Sequence, residues 1–190
     1  KEDLQTRMLN LDPAGKYRQR YGPLIEERLG VLIGRPTRPL TVLFAVGGAG
    51  AQKKLAAVVL KGLKESIETD KLKIILSAGI RAEVNEFFIK SINRLKLGSH
   101  LGGNLEIIFN TDLFEFFRQF NQALRKTDIL WTKPSELSFY VALGLPIIIA
   151  PAIGSQEEFN KEWLIKLGAG IPQKNPAYAD QWLFDLLKEG

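Results

Sequence analysis

The fold is decided by residues 40–52, which read LTVLFAV followed by GGAGAQ. The first seven, Leu40–Val46, carry no charge and are rich in β-branched and bulky apolar side chains. Such a run is typical of a strand buried on both faces of a parallel sheet. Four shorter apolar runs predict further strands at Lys73–Ala78, Leu105–Phe109, Ile129–Thr132 and Pro146–Ala150. Between these runs apolar residues recur at helical spacing, so strands and helices alternate along the chain.

This alternation predicts an α/β fold: a doubly wound parallel sheet, Rossmann-like, whose right-handed crossovers place helices on both faces. We expect the sheet domain to occupy residues 40–190. Residues 1–39 do not join the alternation, and we expect them to form a helical linker or interdomain segment. Ligands of such sheets bind at the carboxyl ends of the strands. Functional residues are therefore expected in the loops that follow the strands.

Composition excludes several kinds of site. The 190 residues contain no cysteine and one histidine, which excludes disulfides, thiolate metal sites, cysteine nucleophiles and multi-histidine centres. We expect neither a metal nor a cofactor. The longest apolar stretch, residues 143–153, is too short to span a bilayer, and no signal peptide is visible, so a cytoplasmic location is expected. The net charge is +5, and the basic residues are scattered along the chain and form no block. It suits a phosphorylated small molecule or an anionic membrane surface, and no nucleic acid is expected as a partner.

The loops after the first two strands have features of an anion site. Gly47, Gly48, Ala49 and Gly50 directly follow the first strand. Glycines at this point let the backbone approach a diphosphate ahead of a helix N-terminus with free N–H groups. Their spacing matches neither GxGxxG nor a P-loop. Arg81 follows the second strand and has a guanidinium that can fork onto phosphate oxygens, although it could also be an ordinary exposed residue at a helix start.

The loops after the third and fourth strands offer groups for the rest of a nucleotide. Asn110 follows the third strand, where a base or ribose could be recognised. Lys133 follows the fourth strand and is a candidate counter-charge for a diphosphate. Glu136, three residues later, could accept hydrogen bonds from vicinal ribose hydroxyls. The structural alternative for Glu136 is compensation of a helix dipole.

The loop after the fifth strand leads into the sequence GSQEEFN at residues 154–160. Gln156 and Asn160 are four positions apart and share one face of a helix. Together with Ser155 and Glu157 they form a polar edge at a helix N-terminus. We expect this edge to hydrogen-bond sugar hydroxyls, while Ser155 alone could be a simple N-cap.

Four motifs in the last third of the chain resemble the donor domain of GT-B glycosyltransferases. The nearest types are monogalactosyldiacylglycerol synthase and the peptidoglycan N-acetylglucosaminyltransferase. The motifs are Thr132-Lys133, Gly144-Leu145-Pro146-Ile147-Ile148, Gln156-Glu157-x-x-Asn160 and Gly168-Ala169-Gly170. The glycine loop and Gly79-x-Arg81 also stand where that family has similar residues, so the resemblance covers roughly residues 40–170. The chain departs from the family at Phe139, where an acidic residue is usual, and at Ser155, which replaces a glycine.

The resemblance implies one half of a GT-B fold that binds a nucleotide-diphosphate sugar, a UDP-sugar in the first instance, for transfer to an acceptor. By position it assigns the diphosphate to Gly48, Gly50 and Arg81, and the sugar to Gln156, Glu157 and Asn160. It also implies an acceptor domain preceding this chain, without which the fragment would be inactive. A lipid or membrane-surface acceptor, with a membrane-peripheral location, would suit the basic first residues.

Two other functions remain open at this point. A nucleotide-sugar 2-epimerase could use the same scaffold, because fold alone does not determine chemistry. A non-catalytic, degenerate module is the other alternative, and the departure at Phe139 is the observation that favours it.

Overall fold

The computed structural model describes residues 1–36, 38–45, 47, 50, 52–135, 137–152 and 154–189, without the side chains of Leu137 and Glu189. Its centre is a sheet of six parallel strands in the order β3-β2-β1-β4-β5-β6. The strands are β1 Leu40–Ala45, β2 Leu72–Gly79, β3 Leu105–Phe109, β4 Ile129–Thr132, β5 Ile147–Ile149 and β6 Gly170–Pro172. The predicted α/β, doubly wound, Rossmann-like fold is therefore confirmed.

Helices connect the strands and cover both faces of the sheet. They are α1 Glu2–Leu11, α2 Lys16–Leu29, α3 Lys53–Gly62, α4 Lys64–Glu68, α5 Ala82–Arg94, α6 Leu113–Lys126, α7 Leu137–Ala142, α8 Ser155–Lys166 and α9 Ala179–Glu189. Short 3-10 helices lie at Gly98–His100 and Pro176–Tyr178. Among the described residues, no helix is long and apolar enough to cross a membrane.

Each strand contributes alternate side chains to two apolar cores, because successive residues of a strand point to opposite faces. On one face, Val42 and Phe44 of β1 pack with apolar residues of α3, α5 and α9. On the other face, Leu43 of β1 and Ile75 of β2 pack with α6 and α8. Both cores are fully enclosed at the middle of the sheet, which explains why β1 is an uninterrupted apolar run.

The sequence did not predict β6, and it placed the ends of some other strands one residue away from where they lie. β6 is only three residues long and consists of Gly170, Ile171 and Pro172, so it has no apolar run to detect. β5 is shorter than predicted, and β2 is one residue longer at each end. The predicted end of the first strand, Val46, lies outside the described residues.

The first helix is fastened to the sheet domain by a buried arginine. Arg7 is 4% exposed, and its guanidinium donates to the carbonyl oxygens of Leu124, Thr127, Leu143 and Gly144 at 2.6–3.3 Å. These carbonyls end α6 and α7, where unpaired oxygens and the negative helix dipole attract a cation. Within this chain, α1 thus packs against the sheet domain; whether residues 1–39 also join another domain stays a prediction.

A buried carboxylate ties the connector before β1 to the start of β4. Asp128 is fully buried. It accepts two hydrogen bonds from Arg38 at 2.7 and 2.8 Å, one from the Thr41 backbone N–H and one from Asn10 Nδ2. A buried charge is tolerated only when it is paired and hydrogen-bonded in this way. The amino edge of the sheet is therefore closed by polar contacts that are specific in geometry.

Replacing Arg7 tests the anchoring of α1. We expect both Arg7→Ala and Arg7→Lys to lower the free energy of unfolding by about 2–4 kcal/mol, because each leaves buried carbonyls without the planar fork of donors. Urea denaturation measures the change. Arg28→Ala is the matched control, since Arg28 is exposed, and it should change stability by less than about 0.5 kcal/mol. Full retention of stability in Arg7→Lys would show that charge alone holds the helix.

The hydrogen bonds of Asp12 make the free energy of unfolding depend on pH in the acid range. Burial raises the pKa of Asp12, but hydrogen bonds from the Arg18 and Tyr17 backbone N–H groups and from the Arg18 side chain outweigh it and lower the pKa below its ordinary value. A lowered folded pKa stabilises the protein above the unfolded pKa of about 3.9, and this stabilisation disappears as the pH falls through the folded value.

We therefore expect Asp12→Asn to be less stable than the wild type near neutral pH, and the difference to shrink below about pH 4. Urea titrations at neutral pH and at about pH 3 measure both differences. A stability difference that is the same at the two pH values would contradict the assignment.

Candidate functional site

The strand order creates a crevice at the carboxyl edge of the sheet. β1 lies between β2 and β4. The chain leaves β1 toward α3 on one face, whereas the chain leaving β4 continues to α7, whose Tyr140 and Val141 pack on the other face. Loops that leave neighbouring strands toward opposite faces separate at this point, which is where ligands of doubly wound sheets bind. The loops after β1 and β4 are the two that carry the predicted glycine turn and Lys133.

The glycine turn is close to residues of both neighbouring loops. Gly47 and Gly50 have φ angles of 75° and 66°, a left-handed conformation that favours glycine. A Cβ atom at Gly47 would lie 2.6 Å from Cε of Lys133, and one at Gly50 would lie 2.7 Å from a methyl of Val84 and 3.8 Å from Cδ of Arg81. The positive φ favours glycine at both positions. At Gly50 the Val84 methyl also leaves little room for a Cβ, whereas the flexible Lys133 stem could move away from one at Gly47. Gly48 and Ala49 lie outside the described residues.

Arg81 stands at the N-cap position of α5, in an extended conformation directly after β2. Its side chain is 46% exposed and lies 3.5 Å from the carboxylate of Glu83. The aliphatic part of Arg81 approaches Gly50, and the residue also borders the pocket next to Gly47. The structure therefore brings Arg81 to the glycine turn, as the sequence predicted.

A pocket of about 280 Å³ opens beside the turn, under α6. The pocket exists because the side chains of the sheet beneath it are small. Along this face of the sheet, Leu43 and Ile75 fill the middle, but the last positions of the same rows are Ala45 in β1 and Ser77 and Gly79 in β2. Because these side chains are small, the carboxyl edge of the sheet does not fill the space beneath the helix.

Aromatic side chains form the walls of this pocket. They come from α6 and α7: Phe116, Phe117, Phe120 and Tyr140. Their rings are neighbours in a row, with centroids 5.6 Å apart from Phe117 to Phe116, 5.6 Å from Phe116 to Phe120 and 6.5 Å from Phe120 to Tyr140. Phe117 is 50% exposed. We name this feature the aromatic pocket; it is bordered by Gly47 and Arg81.

The sequence prediction did not identify the aromatic pocket. Apolar residues at helical spacing predict only that one face of α6 packs against the sheet. The missed signal is that this stripe continues through Phe116 and Phe117, close to the helix N-terminus and hence to the open edge of the sheet.

Lys133 and Glu157, predicted to contact different parts of a ligand, form an ion pair. Lys133 Nζ lies 2.6 Å from Glu157 Oε1, and their side chains are only 20% and 15% exposed. The pair joins the loop after β4 to the first turn of α8. The stem of Lys133 runs over Gly47 on its way to Glu157. The predicted diphosphate and sugar residues therefore meet at one place, although Lys133 is engaged by a carboxylate of the chain itself.

Of the other predicted residues of α8, two are exposed and one makes a structural contact. Ser155 and Gln156 are exposed in the first turn, and Gly154, not Ser155, is the N-cap. Asn160 Nδ2 donates to the carbonyl oxygens of Pro134 and Ser135 at 3.0 and 3.2 Å. Asn160 thus holds the loop after β4 against α8. Gln156 is exposed to solvent in the first turn of α8.

The predicted base and ribose residues receive less support. Asn110 Oδ1 accepts from the backbone N–H of Asp112, and Asp112 in turn caps α6 by accepting from Glu115 N. Asp112 is therefore the side-chain N-cap of α6. Asn110 does not border the aromatic pocket, and its role stays a prediction. Glu136 lies outside the described residues, so its role also stays a prediction.

Gln52, at the N-cap position of α3, is a residue of this edge that the sequence prediction did not assign. It is 7% exposed, and its Nε2 donates to the carbonyl oxygen of Pro151 at 3.1 Å. The contact links the loops after β1 and β5 across the end of β4. Within the described part of the chain, no three His, Cys, Asp or Glu side chains stand close enough together to hold a metal ion.

The Lys133–Glu157 pair can be tested by a double-mutant cycle. We expect Lys133→Met and Glu157→Gln each to lower stability, and the double variant to lower it by less than the sum, because each single change removes one member of a partly buried ion pair. The coupling free energy from urea denaturation should be about 1–2 kcal/mol. Strictly additive changes would show that the pair contributes nothing to the fold.

A comparison with protein families matches residues 33–106 to a family described as a domain of unknown function, DUF6938. The match covers β1 and β2 and ends at the second residue of β3. It includes the glycine turn and Arg81 but not Lys133 or α8. No curated protein matches the chain.

Proposed function

We propose that this chain binds a nucleoside-diphosphate sugar and forms the donor-binding half of a glycosyltransferase. The observation that carries the proposal is that the glycine turn and Arg81 border the same pocket, and that this pocket has aromatic walls. An anion site beside an aromatic cavity matches the two ends of a nucleotide. The sequence resemblance to GT-B donor domains, which also extends to motifs outside the pocket, supports the same function.

The diphosphate would lie between the glycine turn and Arg81. α3 begins at this turn with no side-chain cap and no acidic residue in its first turn, where Lys53 and Lys54 stand instead. The positive end of its dipole is therefore not neutralised locally, which favours an anion. Arg81 adds a guanidinium that can donate two parallel hydrogen bonds to phosphate oxygens.

The base would enter the aromatic pocket. A volume of about 280 Å³ is enough for a planar heterocycle, and aromatic walls favour stacking on its faces. Ser77 on the floor offers a polar group at the base edge. This arrangement puts the base on the α6 side of the sheet, so that the sugar on the other end of the diphosphate points toward the first turn of α8.

The sugar would then face Gln156 and Glu157. Transfer breaks the bond between the anomeric carbon and the diphosphate oxygen, and the electron pair stays on the diphosphate. An acceptor hydroxyl forms the new bond and loses its proton to a base. Arg81 and the N–H groups at the start of α3 would stabilise the charge on the leaving diphosphate. Lys133 could join them only after releasing Glu157.

The engagement of Lys133 is also the observation that favours a second candidate, a non-catalytic module. In that role the Lys133–Glu157 pair would be a permanent structural contact, and the glycine turn would stay covered by the Lys133 stem. The two candidates differ in a single measurable property, which is affinity for a nucleoside diphosphate.

Calorimetric titration of the chain with UDP and with pyrophosphate tests the proposal. We expect UDP to bind, and to bind more tightly than pyrophosphate because its base adds contacts in the aromatic pocket. Arg81→Ala should weaken UDP binding by about 10- to 100-fold, as the loss of charged hydrogen bonds does. Arg118→Ala is the matched control: Arg118 is a similarly exposed arginine at the α6 surface, and its loss should leave the affinity within about twofold.

Folded protein that releases no heat with UDP or any UDP-sugar would overturn the proposal in favour of the non-catalytic module. An epimerised sugar formed from a labelled UDP-sugar without any acceptor would instead favour the 2-epimerase.

A further inference from the structure

The ammonium group of Lys133 stands beside the glycine turn but is bound to Glu157. Cε of Lys133 lies 2.6 Å from the position that a Cβ atom at Gly47 would take. Nζ, one bond beyond Cε, lies 2.6 Å from Oε1 of Glu157. Gly47 in turn borders the aromatic pocket. An anion that enters the pocket and reaches the turn therefore meets a lysine whose charge is neutralised by the chain itself.

The two members of this ion pair depend on each other to different degrees. Glu157 lies in the first turn of α8, where the positive end of the helix dipole also stabilises a carboxylate. Lys133 lies close to the same helix end, which disfavours a positive charge. The two side chains are only 20% and 15% exposed, so water compensates an isolated charge poorly. Lys133 therefore requires an anion as its partner, whereas Glu157 has a second source of stabilisation.

The loop that carries Lys133 has a second attachment to α8. Asn160 Nδ2 donates to the carbonyl oxygens of Pro134 and Ser135 at 3.0 and 3.2 Å. This contact does not involve the lysine, so the ion pair can open while the loop after β4 stays on α8. Lysine has a flexible four-carbon stem, and rotation about its last bonds moves Nζ away from Glu157. The movement therefore needs only side-chain rotation.

We propose that Lys133 exchanges partners: an anion bound at the glycine turn replaces Glu157 at its ammonium group, so that Glu157 competes with the ligand for Lys133. A diphosphate is the ligand class that this exchange favours, because it carries more charge and more acceptor oxygens than one carboxylate. The inference rests on the proposed function and adds an autoinhibitory contact to it. The Lys133–Glu157 pair would set the affinity of the site for anions.

Calorimetric titrations test the exchange in four forms of the chain: wild type, Glu157→Gln, Lys133→Met and the double variant. Each form is titrated with pyrophosphate and with UDP. We expect Glu157→Gln to raise both affinities about five- to thirtyfold, because Lys133 no longer has to leave a carboxylate. In the Lys133→Met background the same change should alter the affinities by no more than about twofold, because the residue for which Glu157 competes is absent.

Glu158→Gln is the matched control, because it removes the same charge from the same turn of α8. Glu158 is 53% exposed and pairs with Lys161 at 3.0 Å. Its replacement should change both affinities by less than about twofold. Urea denaturation of each variant verifies that the titrated protein is folded.

The outcomes distinguish the exchange from the proposed function. If Glu157→Gln raises the affinities equally in both backgrounds, Glu157 merely repels the ligand, and the exchange is wrong. Unchanged or lowered affinities in Glu157→Gln would make the pair a permanent structural contact and would also overturn the exchange, while UDP binding by the wild type stands. A wild type that does not bind UDP would overturn the proposed function, and the inference with it.

Discussion

The position of β1 between β2 and β4 is the constraint on which the candidate site depends. Because the three strands are parallel and in register, their carboxyl ends lie at one edge, and the loops that follow them separate toward opposite faces. Residues that are far apart in sequence, such as Gly47, Arg81 and Lys133, meet there for that reason alone. The site is therefore a product of strand pairing, and the apolar run that specifies β1 also specifies where a ligand can bind.

The amino and carboxyl edges of the sheet differ in how completely they are packed. At the amino edge, Arg7 and Asp128 are buried, and each has several hydrogen-bond partners that hold the first helix and the connector to the sheet. At the carboxyl edge, the side chains on the sheet surface become small and a pocket remains open. The amino edge is thus closed by buried charged hydrogen bonds, whereas the carboxyl edge retains unfilled space. Such a division is expected where function requires local departures from full packing.

The sequence predicted the strand layer well because buried parallel strands are continuous apolar runs, as at Leu40–Val46 and Leu105–Phe109. It failed at β6, whose Gly-Ile-Pro has no such run and is held as a strand by pairing with β5. In the site, the glycine turn and Arg81 were predictable from local sequence. The aromatic pocket was not, because helical periodicity identifies the inner face of α6 but not whether the sheet beneath it has side chains large enough to fill the space. Gln52 was unpredictable for a similar reason, since its partner Pro151 is 99 residues away.

The composition of β6 also affects how the molecule behaves among its own copies. An edge strand with free N–H and C=O groups can pair with the edge of another sheet and begin an aggregate. β6 is only three residues long and ends in Pro172, which has no N–H to donate. The opposite edge, β3, carries Glu106, which is paired with Lys73 on the neighbouring strand. The ion pair at one border and the missing donor at the other both disfavour hydrogen bonding of this sheet to the sheet edge of another copy.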